Sequence, residues 1–274
     1  MEFVKPQVYH VASTRCHSDA IMAYLKDIGA EEWRTDPTSD AELLLEVAGR
    51  ACYRSFKEGL NANVTKVREG NALYLGNILN SKHGSVLEHA YDTYIFHNIS
   101  RVFTHELVRH RAGCAYSQES LRFVRLDELR TWYPTILTDL PNGAWPDDMS
   151  RNDAHLWLQN KWLEVITYLE GVQKETAAFF NLDRLPFDLK KKLTSVMRRW
   201  APLGLATTIM MTGNHRVWRH LITMRTSRHA EEEIRLVFNQ VYKEQKTCYP
   251  SLYQDAKETL VDGMLEITFE NEKV

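Results

Sequence analysis

The stretch Arg109-His110-Arg111-Ala112-Gly113-Cys114-Ala115-Tyr116-Ser117-Gln118-Glu119-Ser120-Leu121-Arg122 limits what this chain can build more than any other segment. Its fourteen residues hold three arginines, one histidine, two serines and a glutamine against a single acid, Glu119. Most of these groups donate hydrogen bonds, and the planar guanidinium fork matches the oxygens of phosphate and carboxylate. Like charges at Arg109 and Arg111 repel unless an anion sits beside them. A surface helix would dilute such charge with acids, so the segment reads as a site for a phosphorylated ligand. A solvated basic turn is the plainer alternative.

Any anion site must be local, because the formal net charge is −2 and the chain as a whole has no electrostatic pull on nucleic acid. The four cysteines, Cys16, Cys52, Cys114 and Cys248, show no CxxC spacing, which argues against a zinc ribbon or a disulfide framework. No basic-then-apolar signal segment opens the chain, and no apolar run reaches membrane-spanning length. The expected address is the cytoplasm, with no membrane partner.

The chain reads as one continuous domain over residues 1–274. Gln7–Ala12 has strand character, Ser39–Phe56 and Val64–Leu79 read as helices, and Ala90–His97 alternates as a strand. Helical spacing returns over Arg101–Arg111. Pro141, Asn142, Gly143 and Pro146 mark a loop over Leu140–Asp148. Long helices are expected over Asp153–Phe180, Phe187–Trp200 and Asn214–Lys246. The tail after Asp262 is an edge strand or a mobile end.

The last of these helices is the second informative feature. Asn214, Trp218, Leu221, Ile222, Arg225 and His229 share one face, which should be buried yet carries Asn214, Arg225 and His229. A buried arginine needs an anion or a full set of hydrogen bonds. Glu231, Glu232 and Glu233 could supply the partner; so could a ligand.

Several motifs fail. His105 and His110 are five apart rather than four, so they do not share the face that a zinc-protease helix requires. His83 and His89 lack ligands to complete a tetrahedral site. No metal is expected. Neither the glycine-rich dinucleotide loop nor the P-loop is present, and Cys114 has no evident base to make it a nucleophile.

Taken together, Ala48-Gly49-Arg50-Ala51-Cys52-Tyr53, His83-Gly84-Ser85-Val86-Leu87-Glu88-His89, Arg109-His110-Arg111 and Tyr116-Ser117-Gln118-Glu119-Ser120-Leu121-Arg122 resemble the flavin-dependent thymidylate synthases. Gly213-Asn214-His215-Arg216, Trp218-Arg219-His220, Met224-Arg225 and His229-Ala230 extend the resemblance, which covers roughly Leu43 to Ile234 and is weakest over Asp127–Lys190. It implies an α+β subunit with the thymidylate synthase-complementing protein fold, an antiparallel sheet packed with long helices, assembled as a homotetramer with shared active sites. The activity it implies is reductive methylation of dUMP to dTMP. Methylenetetrahydrofolate is the implied carbon donor and NADPH-reduced FAD the hydride donor.

The resemblance also assigns residues. Ser85, Arg109, His110, Arg111, Gln118, Asn214, His215, Arg216, His220 and His229 match cofactor-contacting positions. Arg101, Glu106, Arg109, Gln118, Glu119, Ser120, Leu121, Arg122, Arg198 and Arg225 match the nucleotide site. Arg225 matches the position credited with activating the base, a role that suits a side chain which stays charged when buried. Eight residues separate Arg111 from Ser120, one more than the family's usual spacing. An added residue turns a helix face by about 100°, so Ala112–Ala115 must be a loop or bulge. Phe123 stands where tyrosine is common.

Two alternatives follow. One is a flavin-dependent UMP 5-methylase of a nucleoside biosynthetic pathway; the other is a flavin- or nucleotide-binding homologue without transferase activity. A nucleic-acid-binding helix is disfavoured by Glu231–Glu233 beside the basic face.

Overall fold

Alternation along the strand from Tyr91 to Ser100 buries Asp92, Tyr94 and Phe96 and leaves Tyr91 exposed, the pattern of a half-covered sheet. The computed structural model describes residues 2–122, 130–141, 143–272 and 274; Phe123 lies outside them. The strands are β1 (Glu2–Phe3), β2 (Gln7–Ser13), β3 (Tyr91–Ser100), β4 (Cys114–Gln118), β5 (Arg130–Thr131), β6 (Ala206–Asn214), β7 (Ala256–Val261) and β8 (Met264–Phe269). The helices are α1 (Ser18–Asp27), α2 (Asp40–Tyr53), α3 (Asn71–Asn80), α4 (Arg101–Leu107), α5 (Arg151–Phe179), α6 (Phe187–Met197), α7 (His215–Thr226) and α8 (Glu232–Cys248).

A four-stranded sheet has the order β2-β3-β6-β4, and β7 and β8 form a separate antiparallel hairpin. On β3 and β6, Thr93 meets Thr212 at 2.9 Å and His97 meets Thr208 at 2.9 Å. The register falls on one strand as it rises on the other, so the pair is antiparallel. The expected mixture of helices and antiparallel sheet is present.

Contacts divide the chain into two compact units, neither of them contiguous. The first comprises Met1–Tyr9, Ile95–His110 and Tyr116–Met210; the second comprises His10–Tyr94, Arg111–Ala115 and Met211–Val274. In the first unit, Ile166 of α5 and Leu205 are buried with Leu121, Trp162, Leu169 and Ala201 packed against them. In the second, Leu25, Ala30 and Phe56 anchor one cluster, and Trp218, Leu221 and Ile222 of α7 are fully buried.

Several boundaries differ from those expected. The helix expected from Val64 begins only at Asn71, where Asp36 Oδ1 accepts the Asn71 N–H at 2.7 Å and Glu46 Oε2 accepts from its side-chain amide at 2.8 Å. The helix expected through Arg111 stops at Leu107, so Arg109, His110 and Arg111 follow α4 rather than ride on it. The long helix expected over Asn214–Lys246 is two helices, α7 and α8, broken after Thr226. There the Thr226 hydroxyl donates to the Ile222 carbonyl at 2.7 Å and accepts the Ile267 N–H at 2.9 Å. Glu231 restarts the helix by accepting from the Glu233 and Ile234 N–H groups. Strands β4 and β6 and helix α1 had no counterpart in the sequence reading, and the tail after Asp262 is strand β8. Among the described residues, no helix is long and apolar enough to cross a membrane.

Candidate active site

The first unit holds the residues expected at the nucleotide except Arg225, which lies in the second. Ser100 caps α4 by accepting the Phe103 N–H at 3.1 Å, which puts Arg101 at the first helical position. The Arg101 and Val102 N–H groups donate to the Leu203 carbonyl. From there the Arg101 Nη2 donates to the Glu119 carbonyl at 3.3 Å, while its buried Nε has no hydrogen-bond partner among the described residues. Burial holds this guanidinium below its ordinary range; Arg198's like charge adds to the shift and Glu119 opposes it.

Strand β4 delivers the next residues. Gln118 Nε2 donates to Thr104 Oγ1 on α4 at 3.1 Å, and the Glu119 N–H donates to the Thr208 carbonyl at 2.9 Å. Beyond the strand, the Arg122 N–H approaches Ser120 Oγ at 3.4 Å, and the Arg122 carbonyl accepts from Thr194 Oγ1 of α6 at 3.0 Å. The backbone at Arg122 is therefore fixed while its buried Nε lacks a partner among the described residues. Leu121 packs into the Ile166–Leu205 cluster. Arg198 is exposed on the short 3-10 turn after α6. Arg109 is exposed past the end of α4, with Glu106 and His110 half-buried. The Tyr116 hydroxyl lies 2.7 Å from the His110 carbonyl and 3.1 Å from that of Leu107, closing the helix end.

The second unit holds most of the residues expected at the cofactor. Asn214 caps α7, its Oδ1 accepting the Val217 N–H at 2.9 Å. Gly113, at φ +71°, turns the chain into β4; a Cβ there would meet Val217 Cγ2 at 2.9 Å and Asn214 Nδ2 at 3.0 Å. Ala112–Gly113 is thus the loop that the longer spacing required, and it sets exposed Arg111 near the start of α7. Arg216, one residue into α7, pairs with Glu88 at 2.6 Å. It also lies against Gly84, where a Cβ would come within 2.9 Å of the Arg216 Nε. Ser85 and His220 are exposed, Arg225 is half-buried in the last turn of α7, and His229 is exposed beyond it. The segment carrying His229 is tied to β8 by Arg228, which forms a bidentate pair with Glu266. Those hydrogen bonds hold the Glu266 carboxyl down at about 2.

His215 departs from this pattern. Its side chain is completely buried, with its ring 4.5 Å from that of Tyr249 and Nε2 3.7 Å from Asp92 Oδ2. Neither ring nitrogen has a hydrogen-bond partner among the described residues. Desolvation pushes the imidazole down to about 4, so it stays neutral. The side chain faces the core of its unit, whereas Arg216 and His220 face solvent.

Asp92 was legible only as a strand residue. In the fold it is fully buried and receives the Tyr249 hydroxyl at 2.6 Å, Gln245 Nε2 at 2.7 Å and His10 Nε2 at 3.1 Å. Burial would raise its pKa; hydrogen bonds from His10, Tyr249 and Gln245 outweigh burial and lower it.

Residues 35–251 match the family model described as thymidylate synthase complementing protein. The flavin-dependent thymidylate synthase of Corynebacterium glutamicum is 35% identical over 233 residues, spanning 85% of this chain and 86% of that protein. The protein of the same description from Mycobacterium tuberculosis is 34% identical over 232 residues, spanning 84% and 86%. Among solved structures, the UMP/dUMP methylase PolB from Streptomyces cacaoi, bound with 5-Br dUMP, shares the fold. It has a TM-score of 0.59 at 17% identity, covering 93% of this chain and 96% of that one.

Proposed function

The chain belongs to the thymidylate synthase complementing protein family, and we propose that it makes dTMP from dUMP as a flavin-dependent thymidylate synthase. In this reading methylenetetrahydrofolate donates the carbon, NADPH reduces the cofactor and the cofactor is FAD. What supports the nucleotide assignment is that Arg101 and Arg122, each with a buried Nε lacking an acceptor, have no carboxylate partner among the described residues, with the cation of Arg198 close enough to depress Arg101. Buried donors without acceptors are costly, and a phosphate is the kind of acceptor that would satisfy such donors. Ser120, Glu119, Leu121 and Gln118 would line the same nucleotide, with Glu106 and Arg109 from the segment around α4.

The donors in the second unit fit a flavin dinucleotide. Gly84 leaves the space in which Arg216 lies, and Arg111, Ser85 and His220 are exposed; these residue types suit a diphosphate and its sugars. Asn214 and His229 complete the set in this unit; the family resemblance adds Gln118, Arg109 and His110 of the first unit. Reduced flavin, when bound, supplies the hydride. The chain's part is to hold the nucleotide phosphate with arginines and to place Arg225 as a permanent cation. That cation stabilises negative charge developing on the uracil ring. Cys114, whose thiol donates to the Ala112 carbonyl at 3.5 Å, needs no role as nucleophile.

The chain is read as one functional domain that assembles as a homotetramer. Its first unit leaves Trp157, Tyr168 and Phe179 of α5 and Phe187 of α6 more than half exposed, apolar surface of the kind that subunit contacts cover.

The test is tritium release from 5-tritiated dUMP with FAD, NADPH and methylenetetrahydrofolate, run beside 5-tritiated UMP. Release from dUMP is expected. Release from UMP alone would transfer the chain to the ribonucleotide methylases, and release from neither would reject the reading. Arg225→Ala should retain flavin absorbance and lose at least about a hundredfold in turnover; unaltered turnover would remove Arg225 from its role.

A further inference from the structure

The second unit gathers three metal-ligating side chains that the proposed activity does not use. His10 of β2 directs Nδ1 to within 3.8 Å of Glu244 Oε1. Cys248 Sγ lies 3.7 Å from the same oxygen. The donor atoms of His10, Glu244 and Cys248 all fall within 4.8 Å of one another. Glu244 and Cys248 sit at i and i+4 on α8, one turn apart on a single face. The imidazole comes from the opposite end of the chain.

The other nitrogen of His10, Nε2, is 3.1 Å from Asp92 Oδ1, and Asp92 is wholly buried. The Tyr249 hydroxyl and Gln245 fix that carboxylate in turn. The His10 ring stacks on Tyr94 with centroids 4.7 Å apart and planes 13° from parallel. When Nε2 donates to Asp92, Nδ1 is the nitrogen left on the side of Glu244 Oε1. A carboxylate that orients the non-ligating nitrogen is the usual support of a histidine metal ligand.

We propose that His10, Glu244 and Cys248 form a binding site for a zinc-class divalent cation, with its fourth position open to water, that fastens strand β2 to helix α8. One nitrogen, one sulfur and one carboxylate oxygen are the donor types that zinc takes, at about 2.0–2.3 Å each. Tetrahedral ligands at those lengths stand about 3.5 Å apart, so the 3.7 and 3.8 Å separations need only a few tenths of an ångström of closure. Cys248, near the end of its helix, can supply the rest by rotating its side chain. Without the cation, burial and the neighbouring Glu244 push the Cys248 thiol up and keep it protonated. Binding displaces that proton to solvent and leaves a thiolate on the metal. Sequence spacing gave no warning, because one ligand stands at position 10 and the others at 244 and 248.

The experiment uses the full chain, stripped with a chelator and kept reduced, titrated with cobalt(II) and then zinc(II). The expected result is a thiolate-to-cobalt charge-transfer band that saturates at one cobalt per chain and is abolished by zinc. Zinc should also raise the melting temperature, as ligand binding to the native state requires. Cys248→Ser should remove the band, while Cys52→Ser should keep it. Glu244→Gln, a change at a half-exposed helix position, should weaken cobalt binding at least tenfold and serves as the deciding variant if Cys248→Ser does not fold. Absence of the band in the wild-type chain, its persistence in Cys248→Ser, or unchanged affinity in Glu244→Gln would overturn the site and leave a hydrogen-bonded cluster.

Discussion

Arg50 and Arg219, buried in the second unit, and Arg101 and Arg122, half-buried in the first, are built differently. In the second unit, Arg50 is 1% exposed and spends its donors on Glu46 at 2.8 Å, the Ser55 carbonyl at 2.7 Å and the Arg68 carbonyl at 2.6 Å. Tyr74 lies beneath it at 4.2 Å. Arg219, also 1% exposed, forms a bidentate pair with Asp255 at 2.8 and 2.9 Å, donates to the Leu252 carbonyl and rests 3.9 Å over Phe269. In the first unit, Arg101 makes one long bond to a backbone carbonyl, and Arg122 makes no side-chain hydrogen bond among the described residues. The Nε atoms of Arg219 and of buried Arg235, which donates to the Val261 carbonyl at 3.1 Å, also lack partners among the described residues. An orphan Nε alone therefore does not separate the units; what Arg50 and Arg219 have is a carboxylate supplied by the chain. An arginine that serves a ligand keeps its donors and leaves the anion to the ligand.

The contrast breaks most visibly at Asp255. Its carboxyl is held below the usual range because Arg219 and Asn271 outweigh the effect of burial. Asp255→Ala strands the Arg219 charge inside the unit and should cost about 3–5 kcal/mol in urea unfolding. A loss under 1 kcal/mol would mean that the pair is not structural.

A somewhat smaller effect is expected at His215, a buried group of the second unit with no acceptor of its own. Inside the fold it stays neutral down to about 4, against an ordinary 6.5. Between those values the unfolded chain binds the extra proton, so stability falls as pH drops from about 6.5 toward 4, by up to about 3 kcal/mol. His10 works in the opposite sense: its raised pKa gives a contribution complete below 6.5 and lost as pH rises through the raised value. The lowered Asp92 loses its contribution only as pH falls below 3.8. Unfolding curves of His215→Gln across pH 4–7 should therefore be flatter than those of the parent. Parallel curves would place the proton elsewhere.

The smallest effect on folding belongs to the first unit. Arg122→Ala should change stability by no more than about 0.5 kcal/mol, yet weaken dUMP binding about 10- to 100-fold by isothermal titration. A variant that loses several kcal/mol of stability yet, while folded, binds dUMP with parental affinity would put Arg122 with Arg50 and Arg219, and the distinction between the units would fail.

Legibility followed the range of the forces involved. The crowding of arginine around Arg109–Arg122 and the polar residues on the face of α7 were visible as local pattern, because charge repulsion and helical period act over a few residues. The anchors at Gly84-Ser85, Gln118–Arg122 and Asn214–Arg216 were visible through family resemblance. Strand β6 was not, since both its faces are largely covered and Ala206–Asn214 shows no alternation to read. The break after Thr226 carries no glycine or proline; a hydrogen bond from Ile267, forty-one residues on, helps to make it.

The sequence by itself determined the family, the supply of cations for a phosphorylated ligand and the need for a loop before β4. All three depend on residue type and short spacing. Only the tertiary structure decided which arginines were already neutralised, that His215 faces inward while Arg216 faces out, and that His10 meets Glu244 and Cys248. Those outcomes depend on which distant groups fold to within hydrogen-bonding distance, and burial then sets the cost of any charge left without a partner.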